Sequence, residues 1–266
     1  MSDNCSFHCI TFALSDPKEK SYRSQCHHIH QDNCDRCSKL ETIFRKLEEK
    51  INSVIDADLQ EELKHDLSQS QIYIHNWKNH IIRSANQNKA KANIISTLSS
   101  NQILIFMDWA MKYIPIIDRE SQSEWFGKKG LNWHVTAVCQ KKSEEEGMKI
   151  YCYIHIFDSC TQNWYSVASI LEDVLTVVKE KDDTINEEYI RSDNAGCYKS
   201  APLLLSLPGI SNRSRINIKR YDFSDAQGGK DICDRRIAPI KQHMKAYANE
   251  GHSIKTANQM KKAIES

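Results

Sequence analysis

Four aspartates, Asp108, Asp193, Asp231 and Asp234, stand where the sequence otherwise has little use for a charge. The run QILIFMDWAMKYIP, Gln102 to Pro115, is apolar from Ile103 to Met107 and then meets Asp108. An unpaired carboxylate is costly to bury, so a strand that ends on one needs a cation. EEYIRSDNAGCY leads a second short apolar stretch into Asp193, and GGKDICDRRIAPIK opens a helix with Asp231 and Asp234 in its first turns. Carboxylate oxygens are hard ligands that suit magnesium or manganese. Two such ions can activate one oxygen and stabilise another in phosphodiester chemistry. Asp also ends strands and opens helices with no metal present; the coincidence of several acids at element ends is what singles these out. Asp231 and Asp234 are three apart, so both can face one side of a helix. Asp231, nearer the glycine pair and at the positive end of the helix dipole, is preferred as the third acid. Asp158, which also follows a strand, reads as a loop residue.

A second constellation lies at the N-terminus. Five of the ten cysteines, Cys5, Cys9, Cys26, Cys34 and Cys37, fall in the first 37 residues. In CHHIHQDNCDRC, the C-x-x-C pair Cys34 and Cys37 follows Cys26 and His30, and thiolate and imidazole ligands at such spacings suit tetrahedral zinc. His27 and His28 are rival ligands, and the group Cys5, His8 and Cys9 is a further source of one. Zinc would also explain how a segment so poor in large apolar residues folds. The scattered Cys139, Cys152, Cys160, Cys197 and Cys233 read as small core residues. His134 and His155 read as core histidines, and Trp109, Trp125, Trp133 and Trp164 as core aromatics. There is no P-loop and no G-x-S-x-G elbow.

The elements that must position these residues follow from periodicity. Leu40, Phe44, Leu47, Ile51 and Val54 recur at helical steps from Ser38, DADLQEELKHDL continues that helix or starts another, and a second amphipathic stretch runs from Gln71 to Leu98. Strands follow at 103–107, 132–139 and 149–158, with the charged loop QKKSEEEGM between the last two. Then come a helix in NWYSVASILEDVLTVVKEK, a strand reaching Asp193, a short helix in SAPLLLSLPG closed by Pro208 and Gly209, a strand in SRINIKRYDFSD, and a last helix ending at Gly251. Three sequential strands and then alternating helices and strands predict a mixed five-stranded sheet flanked by helices. That is the ribonuclease H-like element order, in which the first and fourth strands are neighbours and the acids converge. The expected organisation is a Cys/His-rich zinc-binding segment at 1–37, a helical domain at 38–100 and the ribonuclease H-like domain at 101–266.

MDWAMKYIP, SEWFGKKGLNWH, RSDNAGCYKS and DFSDAQGGKDICDRRIAPIK together resemble the core of DDE/D-type transposases and of host proteins derived from them, over residues 101–255. The resemblance implies a metal-dependent DNA-processing protein, hydrolysing or transferring phosphodiester bonds, with Asp108, Asp193 and Asp231 as counterparts of the acid triad. The third acid in such families is often Glu; here it is Asp. The chain ends soon after the last helix, which fits a fragment or a domesticated remnant. The alternatives are an inactive relative that binds DNA or chromatin, and a scaffold that homodimerises through residues 38–98. Small N-terminal zinc modules in transposase-like proteins commonly bind DNA or dimerise.

Composition bounds the partners. The chain carries 36 basic and 35 acidic side chains, so any DNA surface must come from local clustering. The candidates are Lys78, Arg83, Lys89 and Lys91 on the second amphipathic stretch, and Arg235, Arg236 and Lys241 on the last helix, each of which could equally be a solvated face. No apolar run of about eighteen residues occurs, so no membrane span is expected. The N-terminus is too polar for a signal peptide, which gives a nuclear or cytoplasmic address as the expectation.

Overall fold

The computed structural model describes residues 5, 8–9, 29–31, 34–115, 121–143, 147–224 and 231–266. The chain divides into two compact units, Met1–Ala90 and Lys91–Ser266. In the first, α1 (Asp35–Asn52) starts three residues earlier than expected, with Cys34 as its N-cap. Asp56 restarts the helix: its Oδ1 accepts from the backbone N–H groups of Asp58 and Leu59. From there α2 (Ala57–Thr97) runs unbroken, joining the two stretches read separately in the sequence.

The second unit is built on one five-stranded sheet in the order β3-β2-β1-β4-β5. β1 (Gln102–Tyr113), β2 (Leu131–Ser143) and β3 (Gly147–Phe157) form an antiparallel meander; β4 (Glu187–Ser192) and β5 (Asn217–Phe223) add in parallel beside β1. This is the expected ribonuclease H-like arrangement. β1 is central, and its alternating side chains are buried on both faces, as a strand flanked on both sides requires. Ile103, Ile105 and Met107 pack under α4 (Trp164–Lys181) and α5 (Ala201–Ser214). Leu104 and Phe106 pack under α6 (Ile232–Asn249) and α7 (Ala257–Glu265), joined by Ile94 and Leu98 from the end of α2. Residues 91–98 thus contribute to the sheet unit.

Several elements depart from expectation. β1 does not stop at Met107 but continues to Tyr113, because β2 stays paired to it after β4 has left. α5 runs through Pro208 and Gly209 and ends at Arg215, which adopts φ 59. Proline removes one hydrogen bond, and burial of Leu203 and Ile210 on either side of it favours keeping the helix. The short α3 (Gln122–Gly127) and α7 were not anticipated. α7 opens with a capping box between Thr256 and Gln259, and Asp158, the loop acid, accepts a hydrogen bond from the Ala257 N–H at 2.6 Å. Among the described residues no helix is long and apolar enough to cross a membrane.

Glu188 is an anomaly in this core. It is 0% exposed on β4, and neither carboxylate oxygen has a hydrogen-bond partner among the described residues. Burial pushes its pKa well above the ordinary 4.5. A folded-state pKa above the unfolded value means the folded chain holds the proton more tightly. The stability this contributes is complete below pH 4.5 and is lost as pH rises through the folded pKa. Glu188→Met is therefore expected to stabilise the protein by about 1–3 kcal/mol at neutral pH, with little gain in acid, measured by urea unfolding across pH.

Candidate functional site

Asp108 and Asp193 meet through strand register. The last paired residues of β1 and β4 are Met107 and Ser192, so the next residue on each strand is one of the two acids. Alternation along β1 puts Asp108 on the face of Leu104 and Phe106, the face covered by α6. Asp193 begins a tight turn, its Oδ1 accepting from the Ala195 N–H at 3.0 Å.

The N-terminal turn of α6 brings the next acid. The Cys233 thiol points to the carbonyls of Phe106 and Val135 at 3.4 and 3.5 Å, and Ile237 and Met244 continue that buried stripe. Asp234 lies beside the stripe, exposed, and faces Asp108. The pKa of Asp108 is raised from 3.8 to about 7 by burial first, then by the charges of Asp234 and Asp193; Lys241, about two turns further along α6, opposes the rise. The charges of Asp193, Asp234 and Lys241 thus reach Asp108, but among the described residues the carboxylate oxygens do not gather within 4.8 Å of one another as the ligand atoms of Cys5, His8 and Cys34 do.

Asp231, preferred from sequence as the third acid, is held differently. It is the N-cap of α6, accepting from the Ile232 N–H at 3.0 Å. Its carboxylate is paired with Lys91 at 3.1 Å and with Arg191 at 3.6 Å. Arg191 is buried on β4, so Asp231 neutralises a cation that the sheet has enclosed. The sequence signal that separates the two acids was present: Cys233, Ile237, Ile240 and Met244 define the buried stripe, and Asp234 adjoins it whereas Asp231 precedes the helix. The involvement of Lys91 with Asp231 carried no local signal, since 140 residues separate them.

The basic candidates disperse. Lys91 is committed to Asp231, and Lys78 lies with its ammonium 3.8 Å from the Cys37 thiol. Arg83 and Lys89 on α2, and Arg235 and Arg236 on α6, are exposed, while Lys241 is half-buried toward Asp108. Of the aromatic and histidine residues, Trp133 and His134 are core as expected, His134 Nε2 lying 3.0 Å from the Tyr198 hydroxyl. Trp125 is not: it sits 63% exposed on α3 beside Phe126, 78% exposed.

In the N-terminal cluster, Cys26 lies outside the described residues, as do His27 and His28. The ligand atoms of Cys5, His8 and Cys34 all lie within 4.8 Å of one another, and His8 Nε2 is 3.2 Å from Cys37 Sγ. Among the described residues, Cys5 and His8, from the group weaker in the sequence, come together with Cys34 and Cys37.

Comparison with known proteins adds the following. No curated protein matches the sequence. Among solved structures, the chain is similar to the Mos1 transposase paired-end complex with left transposon end, at 10% identity and TM-score 0.39 over 93% of this chain and 75% of that one. It is also similar to a pre-cleavage Mos1 transpososome, at 9% and 0.36 over 93% and 80%, and to the Mos1 strand transfer complex, at 10% and 0.38 over 90% and 72%. The strand order, not these distant overlaps, carries the fold. Residues 87–266 match a family model, so that the match spans the whole sheet and all four acids, and the chain belongs to the family described as Domain of unknown function (DUF8701).

Proposed function

We propose that this protein performs divalent-metal-dependent phosphodiester chemistry on DNA, by hydrolysis or strand transfer, with Asp108, Asp193 and Asp234 as the acids that hold the metal. The observation that carries this reading is the half-buried Asp108, whose carboxyl is held up to about 7 by its burial and by two neighbouring acids. Such a group is strained without a cation, and the donor set is all hard oxygen, which fits magnesium or manganese. When bound, the metal would lower the pKa of an attacking water and stabilise charge on the leaving oxygen. Lys241 lies where it can pair with a phosphate oxygen next to the acids. Asp231 acts as a positioning residue: it fixes the first turn of α6 against Lys91 and Arg191, and so aims Asp234. Arg83, Lys89, Arg235 and Arg236 are exposed basic side chains that could contact the DNA backbone, a contact that weakens with salt. The resemblance of the acid-bearing motifs to DDE/D-type transposases agrees with this reading; an inactive DNA-binding relative is the alternative.

Cleavage of a labelled DNA duplex with manganese tests it. Asp108→Asn, Asp193→Asn and Asp234→Asn are each expected to abolish cleavage while leaving salt-sensitive binding. Asp231→Asn is expected to lose about 10–100-fold, the usual cost of removing a group that supports a ligand. Salt-sensitive binding with no cleavage by the wild type under any divalent metal would establish the inactive reading instead.

Metal linkage gives an independent check. With a folded pKa of about 7 against 3.8 unfolded, Asp108 contributes stability that is complete below pH 3.8 and is lost as pH approaches 7. Asp108→Asn is expected to remove that loss and melt higher than wild type at neutral pH without metal. Saturating manganese should stabilise the wild type, by about 2.7 kcal/mol at 100 times the dissociation constant, and leave the variant unchanged. Identical melts for both proteins in both conditions would contradict a shared carboxylate site.

A further inference from the structure

The described residues of the unit Met1–Ala90 hold little apolar core. Among its described residues the buried hydrophobic side chains are Cys5, Cys9 and Ile51, and two of these three are cysteines beside a histidine. A segment of this kind needs a cross-link or a metal to hold one conformation.

We propose that Cys5, His8, Cys34 and Cys37 bind one zinc ion, a site that stands independently of the carboxylate centre. The four residues form two chelating pairs, Cys5-x-x-His8 and Cys34-x-x-Cys37, each with the two-residue spacing common to structural zinc sites. Both pairs sit on turns that converge their side chains. The His8 and Cys9 N–H groups donate to the Cys5 carbonyl at 3.1 and 3.0 Å, which curls the first pair. Cys34 caps α1 and Cys37 lies in its first turn, so the second pair occupies a helix start. A parallel backbone bridge between Cys5 and Gln31 brings the first turn alongside the approach to the second.

The ligand atoms of Cys5, His8 and Cys34 lie within 4.8 Å of one another, and Cys37 lies against the other imidazole nitrogen. Zn–S bonds of roughly 2.3 Å and Zn–N bonds of roughly 2.0 Å place neighbouring ligand atoms roughly 3.5–3.8 Å apart. His8 Nδ1 lies 3.8 Å from Cys34 Sγ and its Nε2 lies 3.2 Å from Cys37 Sγ. The imidazole stands between the two thiols, and a small rotation selects the nitrogen that binds. Cys37 also contacts Cys34 and senses Cys5. Three thiolates leave a zinc site with one excess negative charge, and the Lys78 ammonium 3.8 Å from Cys37 Sγ supplies the outer positive partner. This assigns Lys78 to the metal site and exchanges Cys26 and His30 of the sequence expectation for Cys5 and His8.

Metal analysis of the full chain, purified without chelators, should find one zinc per chain. Cys5→Ser and His8→Ala should each bring this near zero, and Cys26→Ser should leave it unchanged. Because a variant that loses zinc can also lose its fold, the wild type is examined as well. Alkylation with and without a zinc chelator, mapped by mass spectrometry, should show zinc protecting Cys5, Cys34 and Cys37. Cobalt substitution should give the visible absorption of a tetrahedral thiolate site. Absence of stoichiometric zinc, or alkylation of Cys5 at one rate whether or not zinc is bound, would overturn the assignment.

Discussion

The sheet unit is organised around the cost of keeping an acid half-buried where two parallel strands end. Asp108 sits one residue past the last β1–β4 pair, where the hydrogen-bonding partner strand turns away but the meander strand β2 remains. That position denies the carboxylate full hydration and places other acids beside it, which is why its pKa rises to about 7. A protein selected only for stability would put an apolar side chain here, as it does at the five preceding positions. Persistent destabilisation of this kind is ordinary at sites built to hold a cation and is expensive elsewhere.

The rest of the unit serves to hold that geometry. α6 cannot slide along the sheet because Cys233 and Ile237 are packed into the face formed by β1 and β2. It cannot swing at its start because Asp231 is bound to its own first turn and to two cations from different elements. Asp231 pairs with Arg191, which is buried on β4, and breaking a buried pair costs far more than the pair contributes. The two aspartates three residues apart are therefore unequal: one is neutralised by protein cations, and the other adds its charge to the field at Asp108.

Much of this was legible in the sequence, and the failures have identifiable causes. Ile103–Met107 marks a buried strand, and the order of strands and helices leads to the sheet topology. What periodicity could not supply was pairing over distance. That Lys91 neutralises Asp231 depends on a helix and a loop brought together across 140 residues. Pro208 and Gly209 looked like a helix terminus because local propensity favours one there, yet the burial of Leu203 and Ile210 carries α5 past both. Trp125 looked like core because tryptophan usually is, yet it stands exposed on the short α3 with the Lys128 ammonium over its ring.

The zinc ligands proposed for the N-terminal unit differ from those that spacing alone favours. Spacing alone favours the ligands nearest in sequence to Cys34, because short loops close at the lowest entropy cost. That cost grows only slowly with length, so a pair some 25 residues away is nearly as accessible if the backbone is steered toward it. The bridge between Cys5 and Gln31 does that steering. The two proposed centres need not compete for metal either. Three thiolates and an imidazole favour zinc, three carboxylates favour magnesium or manganese, and ligand softness sorts the ions between them. A chain with both donor sets can thus hold a structural ion permanently in one unit while the other exchanges its hard cation with solvent.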